Sequence, residues 1–257
     1  MTRRDDPTTR PPATRLFLDA PLAPGAEVAL AQEQANYLVN VLRLGPGAGL
    51  LVFNGRDGEF VASIAEATRK ACRVAVGAAS RPPQPPPDVH YLFAPLKHAR
   101  LDYMVQKAAE MGAGALRPVI TERTQATRVN LERMRANVVE ACEQCGIVAV
   151  PEVHEPAPLA AVLDRWAADE PGRRLVFCDE AAAAGSPLAT LAALPPGPLA
   201  VLIGPEGGFS PAERRRLLAH PGVVPISLGP RILRADTAAV AALALVDAAV
   251  AGLWGTA

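Results

Sequence analysis

The pattern of apolar and polar positions changes character about a third of the way along the chain. Before residue 80, apolar residues come in short runs, the clearest at 49–53 and 59–64 on either side of a polar, Gly-containing turn at 54–58. A strand, a Gly-rich turn and a second strand are typical of a β-hairpin. Further runs predict strands near 15–18, 27–30 and 72–78 and a helix over 31–43. Residues 15–80 are therefore predicted to form a small, mostly β domain.

Beyond residue 89 the pattern predicts strands that alternate with helices. Near-continuous apolar runs at 175–178, 199–203 and 223–228 are typical of strands that are buried on both faces of a parallel sheet. Helical patterns separate these runs, and one of them, 130–145, begins with Asn130 as its predicted N-cap. We predict an α/β domain over residues 89–257.

Three segments set the boundaries of these domains. Residues 81–88 contain five prolines, which favour a stiff linker because proline has no N–H to donate. Residues 1–14 are rich in Arg, Asp, Pro and Thr and lack the apolar stretch of a signal peptide, which predicts a flexible tail. The longest apolar run, 238–252, contains Asp247 and is shorter than the roughly 20 residues of a membrane span. We expect a cytoplasmic protein with no membrane partner.

The formal net charge is zero, but the charges are unevenly distributed. Residues 81–128 carry 7 Lys/Arg against 4 Asp/Glu, whereas residues 129–198 carry 5 against 10. A surface that faces phosphate is therefore expected in the N-terminal half and in the 81–128 segment. Scattered, solvated charge explains the same counts equally well.

The four cysteines favour a structural interpretation over a metal site. Cys142 and Cys145 form a C-x-x-C pair, but they continue a helical apolar stripe that includes Leu131, Met134 and Val138. No second pair follows at zinc-like spacing, and the four histidines are scattered. We predict core cysteines and no metal site.

A glycine-rich loop follows the predicted strand that ends at Ile203. Residues 204–208 read Gly-Pro-Glu-Gly-Gly, and Ser210 and Glu213 form a capping-box pair with Pro211 at the first helical position. Ligands of open α/β sheets bind at such strand ends, where glycine lets the backbone approach closely. The loop lacks both the lysine of a phosphate loop and the dinucleotide pattern, which argues against a nucleotide-dependent enzyme. Taken alone, a plain structural turn is an equally good interpretation.

A second loop with the same strand-to-helix form follows at 227–238. It contains a Gly-Pro turn, then Arg-Ile-Leu-Arg at 231–234, then Asp236 or Thr237 as the predicted cap of the last helix. Two large apolar side chains in a turn predict the wall of a pocket. The alternative is a loop that is anchored by two core residues.

These two loops carry a family resemblance. Gly-Pro-Glu-Gly-Gly at 204–208 and Leu-Gly-Pro-Arg-Ile-Leu-Arg-Ala-Asp-Thr-Ala at 228–238 resemble the cofactor-binding end of the SPOUT superfamily. Within it, the chain is similar to the RsmE family, which methylates N3 of uracil-1498 in 16S ribosomal RNA. Further matching segments are 15–18, 41–44, Lys97, 106–110, 122–123 and 140–144.

The resemblance implies both an architecture and partners. It implies a C-terminal SPOUT α/β domain with a deep trefoil knot, preceded by a small PUA-like β-barrel that binds RNA. It also implies a homodimer, S-adenosyl-L-methionine as the cofactor, and 16S rRNA of the 30S ribosomal subunit as the substrate. The knot rests wholly on the resemblance, because true knots are among the rarest features of folds.

The resemblance also implies site residues. Backbone that wraps the cofactor is expected at Leu202, Ile203, Gly204, Gly208, Leu228, Gly229, Ile232 and Leu233, with Thr237 close by. Uracil N3 must lose a proton before it attacks, so a base or a stabiliser of the anion is required. Arg231 and Arg234 are the candidate stabilisers, and Glu206 is the candidate that accepts the proton or holds the cofactor. A capping or ion-pairing role for Glu206 is equally open. RNA contacts are expected from Arg15, Arg43, Lys97, Lys107, Arg123 and Arg128.

Three departures from the family pattern stand out. Ile147 occupies the position of a family arginine, Ala235 and Asp236 replace Thr and Glu, and Met111 replaces a leucine. The Ile147 change puts one RNA or substrate contact in doubt. Two other functions stay open: a SPOUT methylase of another RNA, such as tRNA or 23S rRNA, and a non-catalytic RNA-binding or assembly protein.

Overall fold

A computed structural model describes residues 14–68, 71–97, 99–126, 128–182 and 185–251. The predicted tail, apart from Thr14, lies outside these residues. The chain divides into two compact units. The first contains the described residues up to Pro85 together with Cys142–Val150, and the second contains Pro86–Ala141 and the described residues from Pro151 onward. The sequence had assigned residues 142–150 to the second domain, whereas their contacts place them in the first unit.

The first unit is built on one five-stranded sheet. Its strands are β1 (Arg15–Phe17), β2 (Glu27–Ala29), β3 (Gly49–Phe53), β4 (Glu59–Ala67) and β5 (Cys72–Arg81). Their order is β1-β3-β4-β5-β2, in which β1 and β3 are parallel and every other pair is antiparallel. The predicted hairpin is confirmed as β3 and β4. Strand β5 extends through Arg81, so the first residue of the proposed linker belongs to the sheet.

Alternation along these strands builds the core of the first unit. Leu50, Val52, Ile64 and Val74 are almost completely buried and pack around Leu38. Burial of such side chains contributes about 1.5–3 kcal/mol each, so this cluster stabilises the unit substantially.

The helix predicted over 31–43 is shorter and less regular than expected. Helix α1 spans Gln32–Asn36 and continues as a π-helical turn, Tyr37–Val41. The chain then reverses its direction, and a hydrogen bond from the N–H of Leu44 to the carbonyl of Leu38 stabilises this reversal. This reversal leaves Arg43 exposed in the left-handed region, with φ of 57°. A non-glycine residue in that region is strained and points to a local constraint.

The second unit is an α/β layer structure. Its strands are β6 (Val89–Phe93), β7 (Ala115–Ile120), β8 (Glu152–Val153), β9 (Ala157–Pro158), β10 (Arg174–Cys178), β11 (Leu199–Ile203) and β12 (Val223–Ile226). Its helices are α2 (Ala99–Glu110), α3 (Leu131–Cys145), α4 (Leu159–Asp169), α5 (Pro187–Ala192), α6 (Pro211–Ala219) and α7 (Ala235–Val246), and a π-helical turn, Asp247–Ala251, follows α7. The last residues of α3 belong to the first unit.

The sheet of the second unit is parallel, as the apolar runs predict. The strand order is β12-β10-β11-β6-β7-β8, with β9 paired to β7, and each pairing is parallel. All five residues of β11 are buried, as expected for a central strand that is covered on both faces. Because β10, β11 and β12 are neighbours, the loops that leave their carboxyl ends lie side by side.

The predicted helix caps are confirmed in two cases and wrong in one. Ser210 and Glu213 form the capping box of α6, and the side chain of Asn130 accepts from the N–H of Arg133 at the start of α3. Helix α7 begins earlier than expected, with Arg234 as an N-cap whose side chain forms no capping bond. Asp236 therefore lies within the first turn of α7.

Two further predictions from the sequence concern the burial of the cysteines and the lack of a membrane span. Cys142 is buried as predicted, but Cys145 is exposed, so the apolar stripe of α3 ends before it. The described cysteines form no disulfide with one another. Within the described part of the chain, each helix is too short or too polar to cross a membrane.

Candidate active site

A cavity of about 390 Å³ lies at the carboxyl ends of β10, β11 and β12. Its wall comes mainly from three segments within 177–181, 203–209 and 228–235, each at or just after the end of one of these strands. Arg100, Arg214 and Ala238 complete the lining. The volume falls within the roughly 300–1,000 Å³ of typical small-molecule sites.

Two of the three glycines of the first loop, Gly204 and Gly208, are required by the structure. A Cβ on Gly204 would lie 2.6 Å from Cε2 of Phe209, whose ring packs edge-on against Phe177 with the centroids 5.2 Å apart. Gly208 adopts φ of 66°, in the left-handed region that favours glycine. The loop therefore brings bare backbone to the edge of the cavity.

The second loop contributes apolar surface. Gly229 has φ of 108°, and a Cβ there would meet no atom within 4 Å. Ile232 is 88% exposed and lines the cavity together with Leu233. Such exposure excludes a core-anchoring role for Ile232. The structure supports the prediction that these two side chains wall a pocket.

The charged side chains of the cavity include two oppositely charged pairs. The buried carboxylate of Asp179 accepts from Nε of Arg214 at 3.1 and 3.0 Å and lies 2.8 Å from its Nη2. These hydrogen bonds raise the pKa of Arg214. Glu206 lies 3.8 Å from Arg100. Arg100 is therefore available as the partner in the ion-pairing role that the sequence leaves open for Glu206.

The remaining polar groups of the cavity limit the reactions that its side chains can support. Arg231 and Arg234 are exposed and form no ion pair among the described residues. Burial raises the pKa of the Cys178 thiol to about 12, so this cysteine stays protonated and is a poor nucleophile. Within the described ranges, no three His, Cys, Asp or Glu side chains converge as metal ligands.

Most of the predicted cofactor and catalytic residues meet in this cavity. The lining includes Ile203, Gly204, Glu206, Gly208, Leu228, Gly229, Arg231, Ile232, Leu233 and Arg234. Leu202 and Thr237 do not line it. Leu202 alternates with Ile203 along β11 and is buried in the core against Leu163 and Leu217. Thr237 is exposed on the first turn of α7.

Sequence reasoning missed the third wall of the cavity. Residues 177–181 carry no glycine and match no motif, yet they lie at the carboxyl end of β10, between β12 and β11. The rule that ligands bind at the carboxyl ends of parallel strands is the signal that points to them. Arg100 and Arg214 were also missed, because both lie on helices whose packing the local sequence does not specify.

The predicted RNA contact Arg15 is held inside the protein by its own hydrogen bonds. Its side chain is 9% exposed, and Nε donates to Oε2 of Glu59 at 2.8 Å. Its terminal nitrogens donate to the carbonyls of Glu143 and Ile147, each at 3.1 Å, and to that of Cys142. The guanidinium also lies over the ring of Phe53. These contacts occupy the donors that a phosphate would need.

Two other predicted RNA contacts have partners within the protein. Nη1 of Arg123 donates to the carbonyl of Gly207 at 2.7 Å, and the N–H of Glu122 donates to Oε1 of Glu213 at 2.8 Å. The segment after β7 is thereby attached to the glycine-rich loop. Lys107 pairs with Glu110 at 2.6 Å. The remaining three candidates are exposed: Arg43, Lys97 and Arg128.

Comparisons with known proteins agree with this geometry. Residues 83–247 match the RNA methyltransferase domain family, and residues 30–76 match the RNA methyltransferase PUA domain. The ribosomal RNA small subunit methyltransferase E of Rickettsia conorii is 30% identical over 233 residues, which cover 90% of this chain and 94% of that protein.

Two solved structures share the fold over almost their whole length. A structure from Legionella pneumophila, in complex with S-adenosylmethionine, aligns with a TM-score of 0.79 at 31% identity and covers 94% of this chain and 99% of that one. Ribosomal RNA small subunit methyltransferase E from Neisseria gonorrhoeae, bound to S-adenosylmethionine, aligns with a TM-score of 0.80 at 26% identity. That alignment covers 92% of this chain and 98% of the Neisseria chain.

The parallel sheet, the cavity formed by strand-end loops and the matched domain define the class as RNA methyltransferases with a PUA-like N-terminal domain. Within that class, the chain belongs to the ribosomal RNA small subunit methyltransferase E family. The α/β fold, the PUA-like domain and the family predicted from the two loops are confirmed.

Proposed function

We propose that this protein transfers a methyl group from S-adenosyl-L-methionine to N3 of uracil-1498 in 16S rRNA of the small ribosomal subunit. The observation that carries the proposal is the cavity, because both motif loops line it and so do Arg231 and Arg234, which form no ion pair among the described residues. The names and bound ligands of the related proteins support the same cofactor and the same class of RNA.

The residues of the cavity fit this cofactor. Ile203, Leu228 and Leu233 offer apolar surface to an adenine ring, and the loop backbone offers hydrogen bonds to its polar edge. Gly208 and Gly229 leave room where a Cβ would narrow the cradle or strain the loop. When bound, the cofactor supplies a methyl group on a positively charged sulfur, which makes the methyl carbon electrophilic.

The chain's own residues would then prepare the uracil. Neutral uracil carries a proton on N3, so its removal leaves negative charge on the neighbouring carbonyl oxygens. Arg231 and Arg234 are our candidates to stabilise that charge, and the carboxylate of Glu206 is our candidate to accept the proton. The main contribution of the cavity walls is to hold the two reacting atoms in line.

RNA is held by exposed cations in this proposal. Arg43, Lys97 and Arg128 are the candidates that the structure leaves available, and phosphate contacts of this kind make binding sensitive to salt. The deep trefoil knot and the homodimer stay predictions that rest on the family, and the cytoplasmic location stays a prediction from the sequence.

Methyl transfer to ribosomal subunits tests the proposal. Labelled S-adenosylmethionine would be incubated with 30S subunits that lack N3-methyluridine, with the wild type and with Gly204→Val in parallel. We expect labelled N3-methyluridine in 16S rRNA with the wild type alone. Cofactor binding without label in 16S rRNA would point to another RNA substrate, and failure to bind the cofactor would contradict the methyltransferase proposal.

A further inference from the structure

The cavity contains one carboxylate that has no cationic partner among the described residues. Three acidic side chains line it, Asp179, Glu180 and Glu206. Asp179 is paired with Arg214, and Glu206 lies close to Arg100. Glu180 is exposed and forms no ion pair or side-chain hydrogen bond within the ranges that the structure describes.

Glu180 lies beside the glycine-rich loop. It follows the end of β10 by two residues, and its Oε1 lies 3.4 Å from the position that a Cβ on Gly208 would occupy. Gly208 has φ of 66° and therefore strongly favours glycine. As a result, no side chain at position 208 separates this carboxylate from the backbone that lines the cavity.

The free carboxylate of the cavity is complementary to the cations of the proposed cofactor. S-adenosylmethionine carries a sulfonium, an α-ammonium and a carboxylate at neutral pH. Once the two charge pairs are set aside, the cavity offers the negative Glu180 and the positive Arg231 and Arg234. Among the described residues of the lining, Glu180 is therefore the carboxylate that is available to recognise a cation.

We infer that Glu180 binds the α-ammonium of the methionine part of the cofactor and so determines specificity for it. This inference rests on the proposed function. The ammonium is favoured over the sulfonium because Glu180 is solvent-exposed, and a compact ammonium keeps part of its hydration. The methyl group on the sulfonium must instead reach N3 of the uracil at a place from which water is excluded.

Binding of three related ligands to Glu180→Gln tests the assignment. S-adenosylmethionine has both cations, S-adenosylhomocysteine has the ammonium alone, and 5′-methylthioadenosine has neither. We expect the variant to bind the first two about fivefold more weakly, as for a solvent-exposed ion pair, with 5′-methylthioadenosine unchanged. Isothermal titration of the full chain gives all three affinities. Glu132→Gln, an exposed carboxylate at the start of α3 and outside the cavity, is the matched control.

The other outcomes overturn the assignment in distinguishable ways. A loss for S-adenosylmethionine alone would mean that Glu180 faces the sulfonium. An equal loss for 5′-methylthioadenosine would mean that the substitution reshapes the adenosine site. Unchanged affinities for all three would remove Glu180 from recognition. If the wild type binds none of the ligands, the proposed function itself fails.

Discussion

Nε of Arg15 donates to Oε2 of Glu59 across 2.8 Å, which joins β1 to the start of β4 inside the first unit. Glu59 also accepts from Ser80 at 2.7 Å and from two nitrogens of Arg81. Arg15 and Arg81 in turn donate to backbone carbonyls in the 142–147 segment. One buried carboxylate thus organises the contacts that hold this distant segment in the unit.

The Glu59 network predicts a pH-dependent stability. Burial by itself would raise the pKa of Glu59, but hydrogen bonds from Arg81, Ser80 and Arg15 outweigh it and lower the pKa from 4.5 to about 2. Because the folded-state pKa is the lower one, the stabilisation is fully present above about pH 4.5 and is lost as the pH falls toward 2. We expect this carboxylate to contribute about 3 kcal/mol to the free energy of unfolding near neutral pH.

Glu59→Gln tests this contribution. Urea unfolding of the full chain, followed by far-ultraviolet circular dichroism, should show the variant less stable than the wild type by about 3–5 kcal/mol near neutral pH, because Arg15 is left buried without its partner. The difference should shrink as the pH is lowered through the acid range. A difference that does not vary with pH would contradict the lowered pKa.

Gly204→Ala should weaken cofactor binding. The new Cβ would lie 2.6 Å from the ring of Phe209, so the ring or the loop must shift into the cavity or away from Phe177. A ring or loop displaced in this way narrows the cofactor site, so we expect Kd to rise about tenfold, which is about 1.4 kcal/mol of binding free energy. Titration with S-adenosylmethionine measures the change. Gly197→Ala, where a Cβ meets no atom within 4 Å, should bind as the wild type does.

Arg123→Ala should raise the Kd of the cofactor. The substitution removes the hydrogen bond from Arg123 to the carbonyl of Gly207, which holds the glycine-rich loop, and a bond of this kind contributes about 1 kcal/mol, or about fivefold in affinity. Arg128→Ala should leave the cofactor Kd unchanged. A rise confined to the KM for RNA in Arg123→Ala would instead show that this arginine contacts RNA directly.

Arg231→Met and Arg234→Met should each lower kcat by about 10²–10³, with little change in the Kd of the cofactor. The physical reason is that each guanidinium is proposed to stabilise charge that develops on the uracil oxygens as methyl transfer proceeds. Single-turnover methylation of 30S subunits measures the chemical step. Arg215→Met removes an exposed charge on α6 outside the cavity lining and should behave as the wild type. Equal losses of kcat in all three variants would show that the effect comes from the net charge of the protein and not from Arg231 and Arg234 themselves.

Strong local patterns made much of the fold predictable. Apolar runs located β10 and β11, and the Ser210–Glu213 pair gave the start of α6 correctly, because these signals depend on neighbouring residues. The two motif loops located two of the three walls of the cavity. Helix α7 was misplaced at its start, since the sequence offers Asp236 as a cap while the backbone makes Arg234 the N-cap.

Contacts between distant residues explain what the sequence did not reveal. Arg15 was expected to be free for RNA because nothing near it in sequence suggests burial, yet its partners are 44 to 132 residues away. The short segment Asp179–Glu180 resembles any polar strand end, and its importance depends on the position of β10 between β11 and β12. Ile147 likewise contributes through its backbone carbonyl, which accepts a hydrogen bond from Arg15.

The discontinuous first unit has a consequence for synthesis of the chain. Its sheet is complete in sequence at Arg81, but the carbonyls that satisfy Arg15 and Arg81 arrive only with residues 142–147. During translation, some sixty further residues must therefore leave the ribosome before these carbonyls can accept hydrogen bonds from the arginines of the N-terminal sheet. A fragment that ends at the prolines would expose these guanidiniums, so the unit cannot be excised intact by cutting the chain once.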